Sequence, residues 1–225
     1  MKSTEESESL HASNKHYGCA SAYTNPSSMK YKLNIPKACQ TVQSMQSIKG
    51  FLDYGTGKGG LVEEIKKILP DTNVCGYDPA VQRFKALPNQ SFDIITCIDV
   101  LEHIEKEAIY STLQQIKERS KGFVFFAIDL VPAIKKLSDG RNAHIMLAPS
   151  DWWAQQLKQH FRLITLFDQG WLEDGTSCPV QLFGCASNHL PHLAIMNRFL
   201  ESTLLTSEQW IYKPENSGFI TKAFN

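Results

Sequence analysis

The chain has no excess of charge of either sign: 23 basic and 23 acidic side chains over 225 residues give a formal net charge of zero. A protein that neutralises many phosphates ordinarily carries a surplus of Lys and Arg. Extended nucleic-acid binding is therefore disfavoured, although a local patch survives a neutral average. No run of about 18 apolar residues occurs, so no segment is expected to span a bilayer as a helix. The opening stretch MKSTEESESLHAS lacks an apolar core and carries early Glu residues, which argues against a secretory signal or a transit peptide. The cysteines Cys19, Cys39, Cys75, Cys97, Cys178 and Cys185 form no CxxC pair and no disulfide-like spacing. Cys75 and Cys97 lie in apolar runs and read as small buried hydrophobes, so a reducing, cytoplasmic setting is expected. Internal repeats are absent.

What is present is ordinary globular composition, with 42% hydrophobic and 20% charged residues. That excludes full disorder and supplies a real core without disulfides or metal. Residues 1–34 are rich in Ser, Asn, Lys and Tyr and lack periodicity. They read as a flexible extension, with Tyr17, Tyr23 and Tyr31 available as a lid. Residues 35–225 read as one domain.

Pro36 opens a short helix running to about Ser47. From there, short apolar runs alternate with helical patterns. Strands are predicted at 51–54, 73–78, 92–99 and 122–128, and helices at 61–69 and 105–120. Runs apolar on both faces belong to a parallel sheet covered by helices, so the fold class is α/β, a doubly wound, mostly parallel sheet. A short helix is expected after the fourth strand, and another helix at 151–160. The runs 161–167 and 180–186 have no helix between them and should pair as an antiparallel hairpin. Residues 190–203 read as a last helix and 210–225 as irregular.

The strongest motif is Asp53-Tyr54-Gly55-Thr56-Gly57-Lys58-Gly59-Gly60, between a strand and a helix. Glycines let a ligand approach the backbone, and the helix start offers free N–H groups. Gly55, Gly57 and Gly60 also fit the dinucleotide GxGxxG pattern. Asp53 separates the readings. An anion beside a pyrophosphate is repulsive, whereas a carboxylate suits a ligand with a cationic end. Asp78 ends the second strand, a position suited to ribose hydroxyls in either ligand class.

FLDYGTGKGGL, VCGYDPA and FDIITCIDVLEHI, in this order and spacing, resemble the successive motifs of class I S-adenosylmethionine (SAM) dependent methyltransferases over roughly Lys49 to Ile128. The stretches GYDPAVQRFKALPNQSFD and DGRNAHIMLAPSDWW resemble a bacterial and phage-associated subgroup of that family. The resemblance implies SAM as cofactor. By position, Asp53, Gly55, Gly57 and Gly59 would line its methionine end and Asp78 its ribose. Pro79 and Ala80 would lie by the adenine, and Ile98 and Asp99 near the sulfonium. One departure is visible: AVQRFKALPNQS, between Asp78 and Phe92, is too short for the helix and third strand that family members usually place there. It also lacks an acid for the adenine amino group, leaving a backbone group near Leu87 for that contact.

On the acceptor side, His103 and His144 are the candidate bases, because imidazole titrates near neutrality and both sit near carboxyl strand ends. The bland alternative for Glu102 and His103 is orientation of the following helix. Arg141, Trp152 and Glu102 are candidate substrate contacts, with Asp129 a further one. Trp152 and Trp153 point about 100° apart on a helix, so at most one faces a pocket. His189 and His192 stand three apart with no third ligand indicated, so no metal is expected.

Ile98-Asp99-Val100-Leu101 stands where base- and glutamine-N-methylating relatives place an Asn/Asp-Pro-Pro-aromatic motif, and no Pro-Cys pair of the cytosine C5 kind occurs. The expected partner is thus a small-molecule or glycan-precursor acceptor methylated on O or N, with nucleic acid and membrane disfavoured. The alternatives are an RNA or protein methyltransferase, a non-catalytic SAM-binding regulator, a nicotinamide oxidoreductase, or other SAM chemistry such as aminopropyl transfer.

Overall fold

The computed structural model describes residues 33–171, 177–203 and 220–223. Tyr17, Tyr23, Tyr31 and Cys19, and with them the expected lid, lie outside the described residues.

Helix α1 (Ile35–Met45) carries Pro36 in its first turn, and the Asn34 side chain caps it by accepting from the Lys37 N–H at 2.9 Å. Its buried residues Ile35, Ala38, Cys39 and Val42 follow helical spacing and form one apolar stripe. Strand β1 (Gly50–Tyr54) is buried throughout. Then come α2 (Gly60–Ile68), β2 (Asn73–Tyr77), β3 (Phe92–Ile98), α3 (Lys106–Arg119) and β4 (Ser120–Asp129). The chain ends with α4 (Ser150–Lys158), β5 (Leu163–Trp171), β6 (Ser177–Ser187), α5 (Leu193–Thr203) and β7 (Ile220–Ala223).

One seven-stranded sheet runs in the order β2-β1-β3-β4-β6-β5-β7. Strands β2, β1, β3 and β4 pair in parallel, whereas β6 runs antiparallel to both β4 and β5, and β7 antiparallel to β5. The doubly wound sheet with an antiparallel C-terminal hairpin is thus present. The short link between Asp78 and Phe92 holds no strand. It is a single 3-10 turn, Gln82–Phe84, closed by the Asp78 N–H donating to the Phe84 carbonyl at 2.9 Å.

Each face of the sheet has its own apolar layer. On one face Phe51, Phe123 and Phe125 meet α1, α2 and α5, with Phe199 of α5 edge-on to Phe123 at 5.1 Å. On the other, Leu52, Phe126 and Val124 meet α3 and α4, with Trp153 fully buried. Burial on both faces is why these strands read as unbroken apolar runs rather than alternating ones.

Three expectations are corrected. The end of the chain contributes an edge strand at Ile220–Ala223, because the outer side of β5 still has backbone groups to pair. No helix lies between β4 and α4. Residues 133–143 instead fold back on themselves through a Lys136–Asn142 bridge and a turn at Gly140. Cys75 is only partly buried, since β2 is a sheet edge, while Cys39, Cys97 and Cys185 are buried; all four are free. Among the described residues no helix is long and apolar enough to cross a membrane.

Candidate active site

At β1 the strand order reverses, with β2 on one side and β3 on the other, so the connections leaving β1 and β3 diverge and open a crevice at the carboxyl edge. The glycine loop fills its start. The Gly55 and Thr56 N–H groups both donate to the Tyr77 carbonyl, at 2.7 and 3.0 Å. Gly55 has φ +82, and a Cβ there would stand 2.2 Å from Val100 Cγ2, so only glycine fits between the loop and the end of β3. Gly59, with φ +79, caps α2 and leaves room for Phe84, which a Cβ would approach to 2.6 Å.

Asp53 sits beneath this loop, 5% exposed. Its Oδ1 accepts from the Thr96 hydroxyl at 2.8 Å, across the β1–β3 register that pairs the two residues. Burial pushes its carboxyl up to about 6, against the Thr56 and Thr96 hydroxyls that lower it. Asp78 accepts the Gly57 N–H at Oδ2 and the Ala80 N–H at Oδ1, both at 2.9 Å. It therefore stitches the glycine loop to the turn after β2. Pro79 is half-buried and Ala80 exposed on that turn, and Leu87, further along the link, is half-buried.

The ends of β3 and β4 bring a second constellation together. Asp99 takes a left-handed backbone conformation at φ +51, unusual for a residue other than glycine. Its Oδ1 accepts from Gln181 of β6 at 3.3 Å. Asp99, Glu102 and Asp129 place carboxylate oxygens within 4.8 Å of one another. Burial and repulsion from Asp129 push Asp99 up to about 7, burial and both neighbouring carboxylates raise Glu102, and burial raises Asp129 against the opposing pull of His144 and Gln181. Glu102 is 0% exposed. Its Oε1 accepts the Asp129 N–H at 2.9 Å, while Oε2 has no hydrogen-bond partner among the described residues.

His103 and His144 stand beside these carboxylates, ring centroids 4.9 Å apart and edge to face. His103 donates from Nδ1 to the Ala143 carbonyl at 2.8 Å, and His144 from Nδ1 to the Val131 carbonyl at 2.6 Å. Those bonds fix both tautomers, with the proton on Nδ1 and an acceptor at Nε2. His144 Nε2 lies 3.8 Å from Asp129 Oδ2. Burial lowers His103 to about 4, so its ring is neutral near pH 7. The loop after β4 holds His144 through Asn142, whose Oδ1 accepts both the Ala133 and the His144 N–H groups at 2.9 Å.

His103, His144 and Asp129 line a cavity of about 320 Å³ with Pro132, Ala133, Ile134, Lys135 and Ala143. The structure thus brings together Asp53, Gly55, Gly57 and Asp78 at the glycine loop, and Ile98, Asp99, Glu102, His103 and His144 around the end of β3. Ile98 itself is buried in the core. Arg141 stands apart. Its guanidinium is held by Glu105 at 2.7 Å and Asp139 at 2.8 Å. Trp152 packs against the apolar layer edge-on to buried Trp153. Sequence reasoning missed Thr96, Asn142 and Gln181. Thr96 and Gln181 are polar positions inside otherwise apolar strands, and that contrast was the available signal.

The profile of a methyltransferase domain matches residues 36–173. Among solved structures, the plantazolicin methyltransferase BpumL in complex with a triazolic desmethylPZN analog and SAH aligns with a TM-score of 0.51 at 13% identity, covering 82% of this chain and 99% of that one. BpumL with SAH alone gives 0.51 at 15% identity, covering 82% and 97%. A SAM-dependent methyltransferase from Archaeoglobus fulgidus gives 0.50 at 13% identity, covering 68% and 91%. Comparison with curated proteins finds no match.

Proposed function

This chain belongs to the methyltransferase domain family and is a SAM-dependent methyltransferase, and we propose that its acceptor is an oxygen or nitrogen of a small molecule or glycan precursor. The observation that carries the acceptor class is the cavity of about 320 Å³ walled by His103, His144 and Asp129. Its volume suits a small ligand, and zero net charge gives no reason to place a polyanion there.

The residues fit the cofactor. Asp53 is a buried carboxyl whose charged form burial disfavours, and the amino group of a methionine moiety would favour that form. Gly55, Gly57 and Gly59 keep the backbone open to a close ligand, with Asp78 and Pro79 at the ribose and adenine side. Ile98 and Asp99 border the reacting end. When bound, SAM supplies a methyl carbon made electrophilic by its sulfonium, and the thioether leaves with the bonding electron pair. The chain's own residues position the acceptor, exclude water and hold its proton. His103 and His144, each with its Nδ1 committed to a carbonyl, present Nε2 as the atom to take that proton. Glu102 supports this arrangement from below by holding the Asp129 N–H rather than by touching the acceptor.

The packing of α1 on α5 and the pairing of β7 with β5 support one domain over 35–225. The free cysteines suit a cytoplasmic protein. The test is to incubate the chain with methyl-labelled SAM and, separately, small-molecule, RNA and protein fractions of a bacterial lysate. Label transferred to the small-molecule fraction is expected. Label in RNA or protein instead would overturn the acceptor class.

A further inference from the structure

The cluster below the cavity contains one group that methyl transfer does not explain. Glu102 is completely buried, and its Oε2 has no hydrogen-bond partner among the described residues. A buried carboxyl oxygen without a partner carries the full desolvation cost of that atom unless something binds it. Its surroundings are other metal-ligating groups. The ligand atoms of Glu102, His103 and His144 lie within 4.8 Å of one another, and those of Asp99, Glu102 and Asp129 form a second group of the same span sharing Glu102. Two ligand atoms about 2.1 Å from a shared ion stand at most about 4.2 Å apart, so small side-chain shifts would bring three onto one centre.

The histidines are prepared in the way ligands are. Each gives its Nδ1 proton to a backbone carbonyl, Ala143 for His103 and Val131 for His144, which fixes the ring and leaves Nε2 as the donor atom. Asp129 Oδ2, 3.8 Å from His144 Nε2, completes a mixed nitrogen and oxygen set.

We propose that Glu102, His103 and His144, with Asp129 in reach, bind a divalent first-row transition-metal cation at the base of the cavity. Two imidazoles favour Zn²⁺, Mn²⁺ or Fe²⁺ over Mg²⁺, which prefers oxygen donors and retains its waters. This departs from the sequence expectation of no metal. Together with the proposed function, on which this part rests, an ion held there would supply a Lewis acid beside the cavity that His103, His144 and Asp129 line, favouring an acceptor with an oxygen donor. A histidine that holds a metal is not a proton acceptor, so the two rings then serve as ligands and the base role passes from them.

The test uses the tag-free full chain, stripped with chelator, in titration calorimetry with ZnCl2, MnCl2 and MgCl2, followed by elemental analysis after desalting. One Zn²⁺ or Mn²⁺ per chain is expected, with no comparable binding of Mg²⁺. His144→Asn keeps an N–H donor toward Val131 and removes Nε2, so it should weaken binding at least 100-fold. His189→Asn, on an exposed residue elsewhere, should leave it unchanged. Binding of SAH, measured on the same samples, reports that each variant is folded. SAH binding without stoichiometric metal binding overturns the metal site and leaves the methyltransferase reading intact. Metal binding that survives His144→Asn also overturns it. Metal binding that His144→Asn removes while that variant still binds SAH upholds the site, and transfer of label to RNA or protein would then strike the proposed acceptor chemistry alone.

Discussion

His103 and His144 meet edge to face at 4.9 Å, and one stretch of chain after β4 holds both, through the Ala143 and Val131 carbonyls. Asn142 fastens that stretch. It accepts from Ala133 and His144 and donates to the Ala133 carbonyl at 2.8 Å.

Asn142→Ala should therefore damage the acceptor side alone. Groups that orient functional imidazoles typically contribute 10–100-fold to affinity or activity when lost. A loss in that range is expected for acceptor turnover or metal affinity, with SAH affinity unchanged because no contact of Asn142 reaches the glycine loop. Calorimetry with SAH and with Zn²⁺ on one preparation checks this. An equal loss of both would show that the variant disturbs the whole fold.

Asp53 predicts opposite pH trends for the free and the bound protein. Its folded carboxyl titrates at about 6, above the ~3.9 of an unfolded aspartate. Between those values the folded state keeps a proton that the unfolded state has released. The contribution is present below about pH 4 and is lost as pH rises through 6. A cationic ligand end needs the ionised carboxylate, so SAH affinity should rise over the same window. Melting temperatures from pH 4 to 7, with and without SAH, read both trends. Asp53→Asn should remove the part of the stability change that lies between pH 4 and 6, leave the part that Asp99 adds around pH 7, and weaken SAH about 10–100-fold, of the order expected for removing one charge-assisted contact. Undiminished affinity in that variant would move the methionine end away from Asp53.

The legible part of this protein was what local pattern encodes. Phe51 to Tyr54, Phe92 to Ile98 and Phe123 to Ile128 are apolar on both faces, so the covered parallel strands followed from the sequence. The glycines after Asp53 marked the turn for the same reason, since positive φ is cheap only there. What escaped depends on register and on distant pairing. Thr96 reaches Asp53 only because β1 and β3 align those two residues. Gln181 reaches Asp99 only because β6 runs antiparallel beside β4. Arg141, set in a polar loop beside a histidine, read as a substrate contact. Its guanidinium pairs with Asp139 and with Glu105, and that second pairing joins residues far apart in the chain.

Gly55→Ala should abolish cofactor binding at modest cost to the rest of the fold. Alanine at φ +82 is strained by roughly 1–2 kcal/mol, and its Cβ would meet Val100 Cγ2 at 2.2 Å. The loop must lift away from Val100 and with it the Gly55 N–H that the Tyr77 carbonyl accepts. A melting temperature lowered by roughly 2–8 °C, with no further rise on adding SAH, is the expected result. Retained SAH stabilisation would mean that the loop relaxes without leaving the ligand.

Glu102→Gln should push two measurements in opposite directions. The glutamine keeps an oxygen to accept the Asp129 N–H and puts an amide donor where Oε2 now has no partner, among carboxylates that accept. Burial and the neighbouring carboxylates already drive Glu102 toward its neutral acid, and glutamine fixes that neutral state at a fully buried position. The chelator-treated variant should therefore melt higher than the parent, by about 2–4 °C for each kcal/mol gained. The same change removes the charged ligand that a divalent cation needs, so Zn²⁺ should bind far more weakly and stabilise far less. A structural hydrogen-bonding role predicts the reverse for the first measurement: if Glu102 served the fold as a buried acid, its replacement would lower the melting temperature with or without metal. A higher midpoint in chelator together with a lost Zn²⁺ shift is a pairing that only a ligand role produces.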